Sequence, residues 1–250
     1  MRAPQPDSCG CFPSGRHYPG IAHLLRTVVK GLVAELAADA MWRDLPIALL
    51  DVETTGRDAS VDRVVELGIV VGQGGAIVDR KNWLVNPGQP IPEEARAIHG
   101  ISDDDVKDAP RFADIAAEVA AFLAGRIPAA YNASFDRAFI VNEFARSGYR
   151  APEGETDCPA LRRDVDWVDP LVWAREIQRE EKSKALGEVA TRLGVALENA
   201  HRASDDAEAA LRVMYILGDD ARVPKVHAPF IQEQRRLSQI QADERRRWKT

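Results

Sequence analysis

The stretch Ile47-Ala48-Leu49-Leu50-Asp51-Val52-Glu53-Thr54-Thr55-Gly56 decides the fold. It starts as a short apolar run of the kind that forms a buried strand, and it ends in a polar turn. Residues two apart in an extended chain point to the same face, so Asp51 and Glu53 can reach one site at the strand's carboxyl end. Ligands of α/β sheets bind at that end. An acidic pair there is also a common solvated feature, so this segment alone leaves both interpretations open.

Further strands and helices follow this stretch in an order that fits one domain. The predicted strands are Val64–Val71, Ala76–Val85, Ile127–Tyr131 and Val165–Val168, and the predicted helices are Phe112–Leu123, Phe135–Arg146, Leu171–Arg179, Lys184–Leu193 and Ser204–Leu217. Three strands followed by alternating helices and strands predict an α/β domain with a mixed five-stranded sheet flanked by helices.

The chain ahead of the first strand divides into two parts. Residues 1–20 are rich in Pro, Gly and Ser, which predicts a loose leader. From Ile21 to Ala40, apolar residues recur three and four positions apart, which predicts an N-terminal amphipathic helix whose apolar stripe is covered by its own domain or by a second copy. We therefore expect a disordered leader (1–20), a helical extension (21–45), the main domain (46–220) and a basic C-terminal tail (221–250).

Composition favours an ordinary soluble protein, since 45% of the 250 residues are hydrophobic and 29% are charged. Charges interrupt the apolar stretch from Ile21 to Met41, so it fits neither a signal peptide nor a membrane span. Three cysteines suggest a reducing compartment, and the expected location is the cytoplasm. Cys9 and Cys11 could be zinc ligands with nearby histidines, but no second pair at standard spacing completes a tetrahedral set.

The net charge of −6 does not exclude a nucleic-acid partner, because the charge is unevenly distributed. From Arg222 onward the chain has eight basic and three acidic residues. This tail could contact phosphates, or it could be a solvated terminal helix.

A second candidate segment is Tyr131-Asn132-Ala133-Ser134-Phe135-Asp136, where a predicted strand passes into a helix. Phe139, Ile140 and Phe144 follow Asp136 at helical spacing, so the carboxylate is in line with the buried stripe. A buried carboxylate without a cation or donors costs several kcal/mol. Either a metal ion or an N-cap role must therefore compensate, and the segment itself does not decide between them.

The third segment is His201-Arg202-Ala203-Ser204-Asp205-Asp206. Five helical residues would rotate Asp206 by about 140° away from His201, so His201 is expected in the loop before the helix, with Ser204 as the N-cap. Apolar residues follow Asp206 at helical spacing, whereas polar residues follow Asp205. Asp206 is therefore predicted to face inward, and Asp205 to face solvent or support the site from behind.

Taken together, strand-Asp-x-Glu, Asn-x-x-Phe-Asp and His-x-x-x-x-Asp in this order resemble the histidine subclass of the DEDD 3′-5′ exonucleases. This family includes the epsilon proofreading subunit of bacterial DNA polymerase III, ribonuclease T and oligoribonuclease. The resemblance runs from Ile47 to Gly218 and includes Val85-Asn86-Pro87, Ile98-His99-Gly100-Ile101 and Lys184-Ala185-Leu186 before Leu193-Gly194-Val195. It implies a ribonuclease H-like fold and hydrolysis of nucleotides from a 3′ end.

The resemblance also implies the roles of individual residues. Two Mg²⁺ or Mn²⁺ ions would be held by four carboxylates, with Asp51 between both ions, Glu53 and Asp206 on one, and Asp136 on the other. Oxygen-only ligands favour these ions over zinc. His201 would act as general base, because an imidazole changes charge in the physiological pH range. The residues implied to grip the 3′-terminal nucleotide are Thr54, Thr55, His99, Ile101 and Asn132, while Phe135 is expected in the core.

This sequence departs from the family pattern in two places. Tyr131 lies where this branch often has His, which would alter contacts with the terminal nucleotide. The stretch from Ala151 to Asp164 looks longer than usual and could reshape the substrate entrance.

The predicted function is a metal-dependent 3′-to-5′ exonuclease that hydrolyses single-stranded nucleic acid, with DNA favoured, to nucleoside 5′-monophosphates. The alternatives are an RNA-trimming exoribonuclease, a glycosyltransferase with a metal-binding acidic pair, and a non-catalytic nucleic-acid-binding or scaffolding protein. Expected partners are 3′ ends of single strands and either a polymerase or a second copy bound through the N-terminal helix, with no membrane contact.

Overall fold

The computed structural model describes residues 30–150, 158–197 and 201–247. Over these ranges its sheet has four strands, β1 (Ile47–Thr54), β2 (Val64–Gln73), β3 (Ala76–Leu84) and β4 (Ile127–Ala129). The strand order is β3-β2-β1-β4, with β1 antiparallel to β2 and parallel to β4. The predicted mixed α/β sheet is therefore confirmed.

The central strand β1 is buried on both faces, and its alternating side chains enter two different cores. Ile47 and Leu49 pack in the cluster that includes Leu211. Ala48 and Leu50 pack in the cluster on the other face. Asp51 and Glu53 continue the row of Ile47 and Leu49, because side chains alternate along a strand. The two acidic residues thus lie on the face of the sheet that packs against the helix carrying Leu211.

Helices cover both faces of the sheet. They are α1 (Glu93–His99), α2 (Asp103–Val106), α3 (Phe112–Leu123), α4 (Ser134–Ser147), α5 (Pro170–Ile177), α6 (Leu186–Arg192), α7 (Ala203–Leu217) and α8 (His227–Arg247). Short 3₁₀ turns lie at Trp42–Asp44 and Pro159–Leu161. The predicted helices correspond to α3 to α7, and α8 to the terminal helix that was one of two interpretations of the basic tail, whereas α1 and α2 were not predicted. None of the helices in the described part of the chain has the length and apolar character that a membrane span requires.

The prediction of a fifth strand at Val165–Val168 is wrong. The segment makes only isolated parallel bridges, Ala129 with Val168 and Gly31 with Val165. It ends at Asp169, whose side chain accepts the Leu171 N–H as the N-cap of α5, and Pro170 then begins the helix. Proline has no N–H to donate to a ladder, so the helix start limits the pairing to single bridges.

The predicted N-terminal amphipathic helix is also wrong over the described residues 30–40, which form turns and bends. The remainder of that prediction, residues 21–29, lies outside the described residues, as does the leader. Gly31 has a φ of 89° and its backbone bonds with Asp164 and Asp166 instead of an intrahelical partner. Leu32 and Val33 are buried in the main core. Their apolar character therefore reflects packing of a turn on its own domain, and the domain limits at residues 20, 45 and 220 stay predictions.

Candidate active site

Asp51 and Glu53 lie at the carboxyl end of β1, where both side chains are half-buried. The parallel pairing of β1 with β4 ends at Leu49 and Ala129. Beyond that point β1 has a free edge on this side. Asp136 of α4 binds this edge of the strand, because its Oδ1 accepts the Val52 N–H at 3.2 Å.

Asp136 is 2% exposed and shares the buried face of α4 with Phe139 and Ile140. The N-cap position of α4 is Ala133, so Asp136 does not cap this helix. Of the two roles left open by the sequence, capping is therefore not the one observed. The carboxylate instead bonds to the strand that carries Asp51 and Glu53.

His201 lies in the turn before α7, with an exposed side chain and a φ of 69°. Its backbone N–H donates to Asp206 Oδ2 at 2.9 Å. Asp205 faces another direction and pairs with Arg80 on β3 at 3.1 Å. The two adjacent aspartates thus occupy different environments, as helical spacing predicts.

The start of α7 is held by Glu66 of β2, a fully buried residue that lies opposite Glu53 in the sheet register. Its carboxylate accepts the Ala203 N–H at 3.0 Å and an Arg202 guanidinium N–H at 2.6 Å. The N-cap of α7 is Arg202, so the prediction of Ser204 as N-cap is wrong. A carboxylate from a neighbouring strand satisfies the free backbone donor there instead.

Burial and mutual repulsion raise the pKa values of the clustered acids. The pKa of Asp51 is raised well above its usual range. Burial is the largest cause, and the charges of Asp136, Glu53 and Asp206 also raise it. Burial, Asp206 and Glu66 raise the pKa of Glu53 to about 7. Burial also raises the pKa values of Asp136 and Asp206. A bound cation would stabilise the ionised form of all four side chains.

Glu66 shows the opposite behaviour. Burial alone would raise its pKa, but hydrogen bonds from Arg202, Ala203 and Asn82 lower it. Glu66 therefore remains ionised with its own partners and adds negative charge next to Glu53.

A group of metal-ligand atoms lies at this end of β1. Within the described ranges, Glu53, His201 and Asp206 each offer one ligand atom, and these atoms lie within 4.8 Å of one another. Asp51 and Asp136 lie outside that group but interact electrostatically with it. Carboxylate oxygens are the ligands that Mg²⁺ and Mn²⁺ prefer, so the donor set fits a hard divalent cation.

A cleft of about 740 Å³ opens beside these acids. Of the predicted substrate-contact residues, Thr54, Thr55, His99 and Asn132 line it. Ile101 does not, since it is 5% exposed and packs in a small apolar cluster under α1. Phe135, expected in the core, is half-buried and also lines the cleft.

His99 and Thr55 both have hydrogen-bond partners at the wall of the cleft. Ile101 N–H donates to His99 Nδ1 at 3.0 Å, which leaves the proton of the neutral ring on Nε2. Burial lowers the pKa of His99, a hydrogen bond with the Thr54 backbone raises it, and Nε2 is itself buried. The Thr55 hydroxyl accepts hydrogen bonds from the Arg63 N–H of its own loop and from the Gln89 side chain of the segment after β3.

The exonuclease family RNase_T matches residues 49–214, two thirds of the chain and the whole of the site described above. The chain belongs to this exonuclease family. The assignment to DEDD exonucleases from three motifs is thereby confirmed, as is the expectation of an exonuclease enzyme with a ribonuclease H-like fold.

Curated relatives of this exonuclease are much longer proteins. The PolC-type DNA polymerase III of Oceanobacillus iheyensis is 33% identical over 177 residues, which are 71% of this chain and 12% of the relative. The enzyme of the same name from Thermotoga maritima is 30% identical over 194 residues, covering 78% of this chain and 13% of that one. The chain therefore spans about an eighth of the length of these relatives.

Solved structures share the fold of this exonuclease. A zinc-bound E. coli exonuclease I in complex with single-stranded DNA has a TM-score of 0.59 and 20% identity, covering 70% of this chain and 40% of that chain. Exonuclease X in complex with 5′-overhanging duplex DNA has a TM-score of 0.57 and 21% identity, covering 74% of this chain and 99% of that chain.

Sequence reasoning missed Glu66, Arg202 and Asp169 of this exonuclease. The signal for Glu66 was available, because a single charged residue inside the apolar run Val64–Val71 must find a buried partner. Asp169 directly precedes Pro170, a pattern typical of a helix start. Its carboxylate accepts the N–H groups of Asn132 at 2.9 Å and Ala133 at 3.2 Å, and so fixes the backbone that leads to Asp136.

Proposed function

We propose that this chain removes nucleoside 5′-monophosphates from the 3′ end of single-stranded nucleic acid and prefers DNA to RNA. The observation that carries the proposal is the convergence of Asp51, Glu53, Asp136, Asp206 and His201 beside one cleft. The preference for DNA is supported by the relatives, which are DNA polymerases, and by exonuclease I, whose structure contains single-stranded DNA. The same relatives make a DNA polymerase our proposed partner.

The proposed cofactors are two Mg²⁺ or Mn²⁺ ions held by the four carboxylates. Bound there, they would supply water activation and stabilise the charge that develops on phosphate during the displacement. His201 accepts the proton of the attacking water, and the hydrogen bond from its backbone to Asp206 keeps the imidazole near the acids. Proton acceptance fits a ring that is exposed and not buried in the core.

The cleft residues position the terminal nucleotide in this proposal. His99 forms part of the wall against which the nucleotide packs, and the exposed side chain of Asn132 contacts it. Phe135 offers an aromatic surface for a base, and base stacking on such rings is tolerant of sequence. Ile101 acts through His99, whose Nδ1 it binds.

The decisive experiment compares single-stranded DNA, single-stranded RNA, mismatched primers and dinucleotides, all labelled at the 5′ end. We expect stepwise shortening from the 3′ end, 5′-monophosphate products, resistance of 3′-blocked strands and reversible loss of activity in chelator. Degradation that persists undiminished in excess chelator would rule out the mechanism, and equal cutting of circular strands would show an endonuclease. Faster degradation of RNA would favour the exoribonuclease, and binding without cleavage the non-catalytic protein.

A further inference from the structure

A second groove of about 550 Å³ adjoins the active-site cleft, and Asn132 lines both. It lies between the start of α4, the segment that leads into α5, and one face of α8. We name it the arginine groove after four of its lining residues, Arg137, Arg175, Arg235 and Arg245.

The acidic residues of the arginine groove are already occupied. Asp166 accepts a hydrogen bond from Arg235 at 2.8 Å. Asp169 accepts three backbone N–H groups, those of Asn132, Ala133 and Leu171. Four guanidinium groups and two carboxylates line the groove, so its net charge is positive.

Three of the four arginines lack an ion-pair partner among the described residues. Arg137 donates to the Arg162 carbonyl oxygen at 3.0 Å, but across the described ranges Arg175 and Arg245 make no hydrogen bond or ion pair. Arg175 is half-buried, and its pKa is lowered by burial and then by the charge of Arg245, against a smaller opposing effect of Asp169. Two like charges held near each other cost free energy, which a bound anion would offset.

The remaining charges of α8 show that this arrangement is specific to one helix face. Arg236 pairs with Glu233 and Arg246 pairs with Asp243 on the helix surface. Ser238, Gln241 and Arg245 recur at helical spacing and all line the groove. Arg245 therefore lies on the face of α8 that lines the groove.

We propose that the arginine groove binds phosphates of the substrate strand behind the nucleotide that is being removed. The inference rests on the proposed function, since the shared wall at Asn132 makes the groove a continuation of the cleft. Guanidinium groups match phosphate oxygens in charge and in geometry, and such contacts are independent of base sequence.

The test compares R175Q/R245Q with the control R236Q/R246Q, which removes the same charge from paired positions. Substrates are a long single-stranded oligodeoxynucleotide and the p-nitrophenyl ester of thymidine 5′-monophosphate, which has a single phosphate. We expect R175Q/R245Q to raise KM for the oligonucleotide about tenfold, with kcat and hydrolysis of the small ester unchanged. The salt dependence of DNA binding should also weaken, by about 0.7 in slope for each phosphate that the variant no longer neutralises.

An unchanged KM for the oligonucleotide, or an equal rise in the control, would overturn the groove as a subsite. An equal loss on both substrates would place the arginines in support of the catalytic centre instead. If wild-type protein hydrolyses neither substrate, the proposed function fails, while anisotropy of labelled single-stranded DNA in chelator still tests the groove. Weaker binding by R175Q/R245Q alone would then support it.

Discussion

Asp205 and Asp206 are chemically identical neighbours that face different surroundings. Asp206 is half-buried, accepts the His201 N–H at 2.9 Å and lies within ligand distance of Glu53. Asp205 pairs with Arg80 on the other side of α7. At this scale the position of a carboxylate, and not its chemistry, determines whether it can serve the site.

We therefore expect Asp206→Asn to remove nearly all activity and Asp205→Asn to stay within about tenfold, or 1.4 kcal/mol in the barrier. The measurement is kcat/KM on single-stranded DNA, with circular dichroism to show that both variants fold. A larger loss for Asp205→Asn would mean that the inward face of α7 has been assigned incorrectly.

A second prediction at the residue scale concerns whether His201 is a base or a metal ligand. The question arises because its ring lies close enough to Glu53 and Asp206 to share a cation with them. If it is a base, His201→Ala should slow hydrolysis by about 10²–10⁴-fold. The Mg²⁺ concentration for half-maximal activity should stay nearly constant. A large increase in that concentration would instead identify the imidazole as a metal ligand.

The raised pKa values of the four acids make stability depend on pH. Folding raises the pKa of Glu53 from its ordinary value of 4.5 to about 7. The pKa values of Asp51, Asp136 and Asp206 are raised as well. The folded protein therefore holds protons that the unfolded chain has released. Without metal, this contribution to the free energy of unfolding is present below the ordinary carboxylate values and is lost as pH rises toward 7 and above.

Urea denaturation across this pH range in chelator measures the effect. Adding Mg²⁺ should restore stability at the upper end, since the ion binds the ionised form. Asp51→Asn should raise the metal-free stability near neutral pH while abolishing activity. A metal-free stability that rises with pH in this window would contradict the proposed charge cluster.

At the scale of elements, the site depends on how closely α7 approaches β2. A Cβ on Gly68 would lie 2.2 Å from the Ser204 backbone nitrogen and 2.3 Å from the Ala203 carbonyl carbon. Glu66, two residues earlier on β2, holds the same turn through Ala203 and Arg202. Close backbone packing and a buried ion pair together fix the start of the helix that carries Asp206.

Gly68→Ala should push the start of α7 away from the sheet and lower kcat by about 10²-fold, the loss expected for a displacement near 1 Å. Gly187→Ala in α6 is the matched control, because its added methyl group would contact nothing within 4 Å. The measurements are kcat and the midpoint of urea unfolding for both variants. Wild-type kcat in a folded Gly68→Ala protein would show that the spacing between α7 and β2 does not determine the geometry of the site.

The elements also show what the sequence could reveal. Periodicity located α3 at its observed bounds of Phe112–Leu123, because one face of that helix enters the core. It misread residues 30–40, where buried residues lie on turns that are held by pairing with Asp164 and Asp166. The three acidic motifs could be read because each ends or begins an element. The partners of Glu66 and the unpaired arginines of the groove could not be predicted from the sequence, since they depend on contacts between distant segments.

At the scale of the whole molecule, the C-terminal helix α8 buries one face against the domain. It lies beyond residues 49–214, which match the family. Phe230 of α8 stacks between Trp42, at 4.8 Å between ring centroids, and Trp173 of α5, at 5.3 Å. Trp42 lies just before β1, so this stack links the C-terminal helix to the strand that carries Asp51. The sequence suggested a basic tail or a solvated terminal helix here, and not a helix packed on the core, because its charges mask the few apolar residues that are buried.

Phe230→Ala should lower the free energy of unfolding by about 3–5 kcal/mol, the usual cost of truncating a fully buried aromatic side chain. Phe230 is 2% exposed and packs between two indole rings, whereas Ile240, on the same helix, is 40% exposed. Ile240→Ala is therefore the control and should change stability by no more than about 0.5 kcal/mol. Urea unfolding followed by tryptophan fluorescence measures both variants, with Trp42 and Trp173 as reporters of the stack. Equal effects of the two substitutions would show that α8 is an appendage whose removal leaves the core intact. A large loss confined to Phe230→Ala would instead show that the helix supplying Arg235 and Arg245 to the groove is a structural part of the domain.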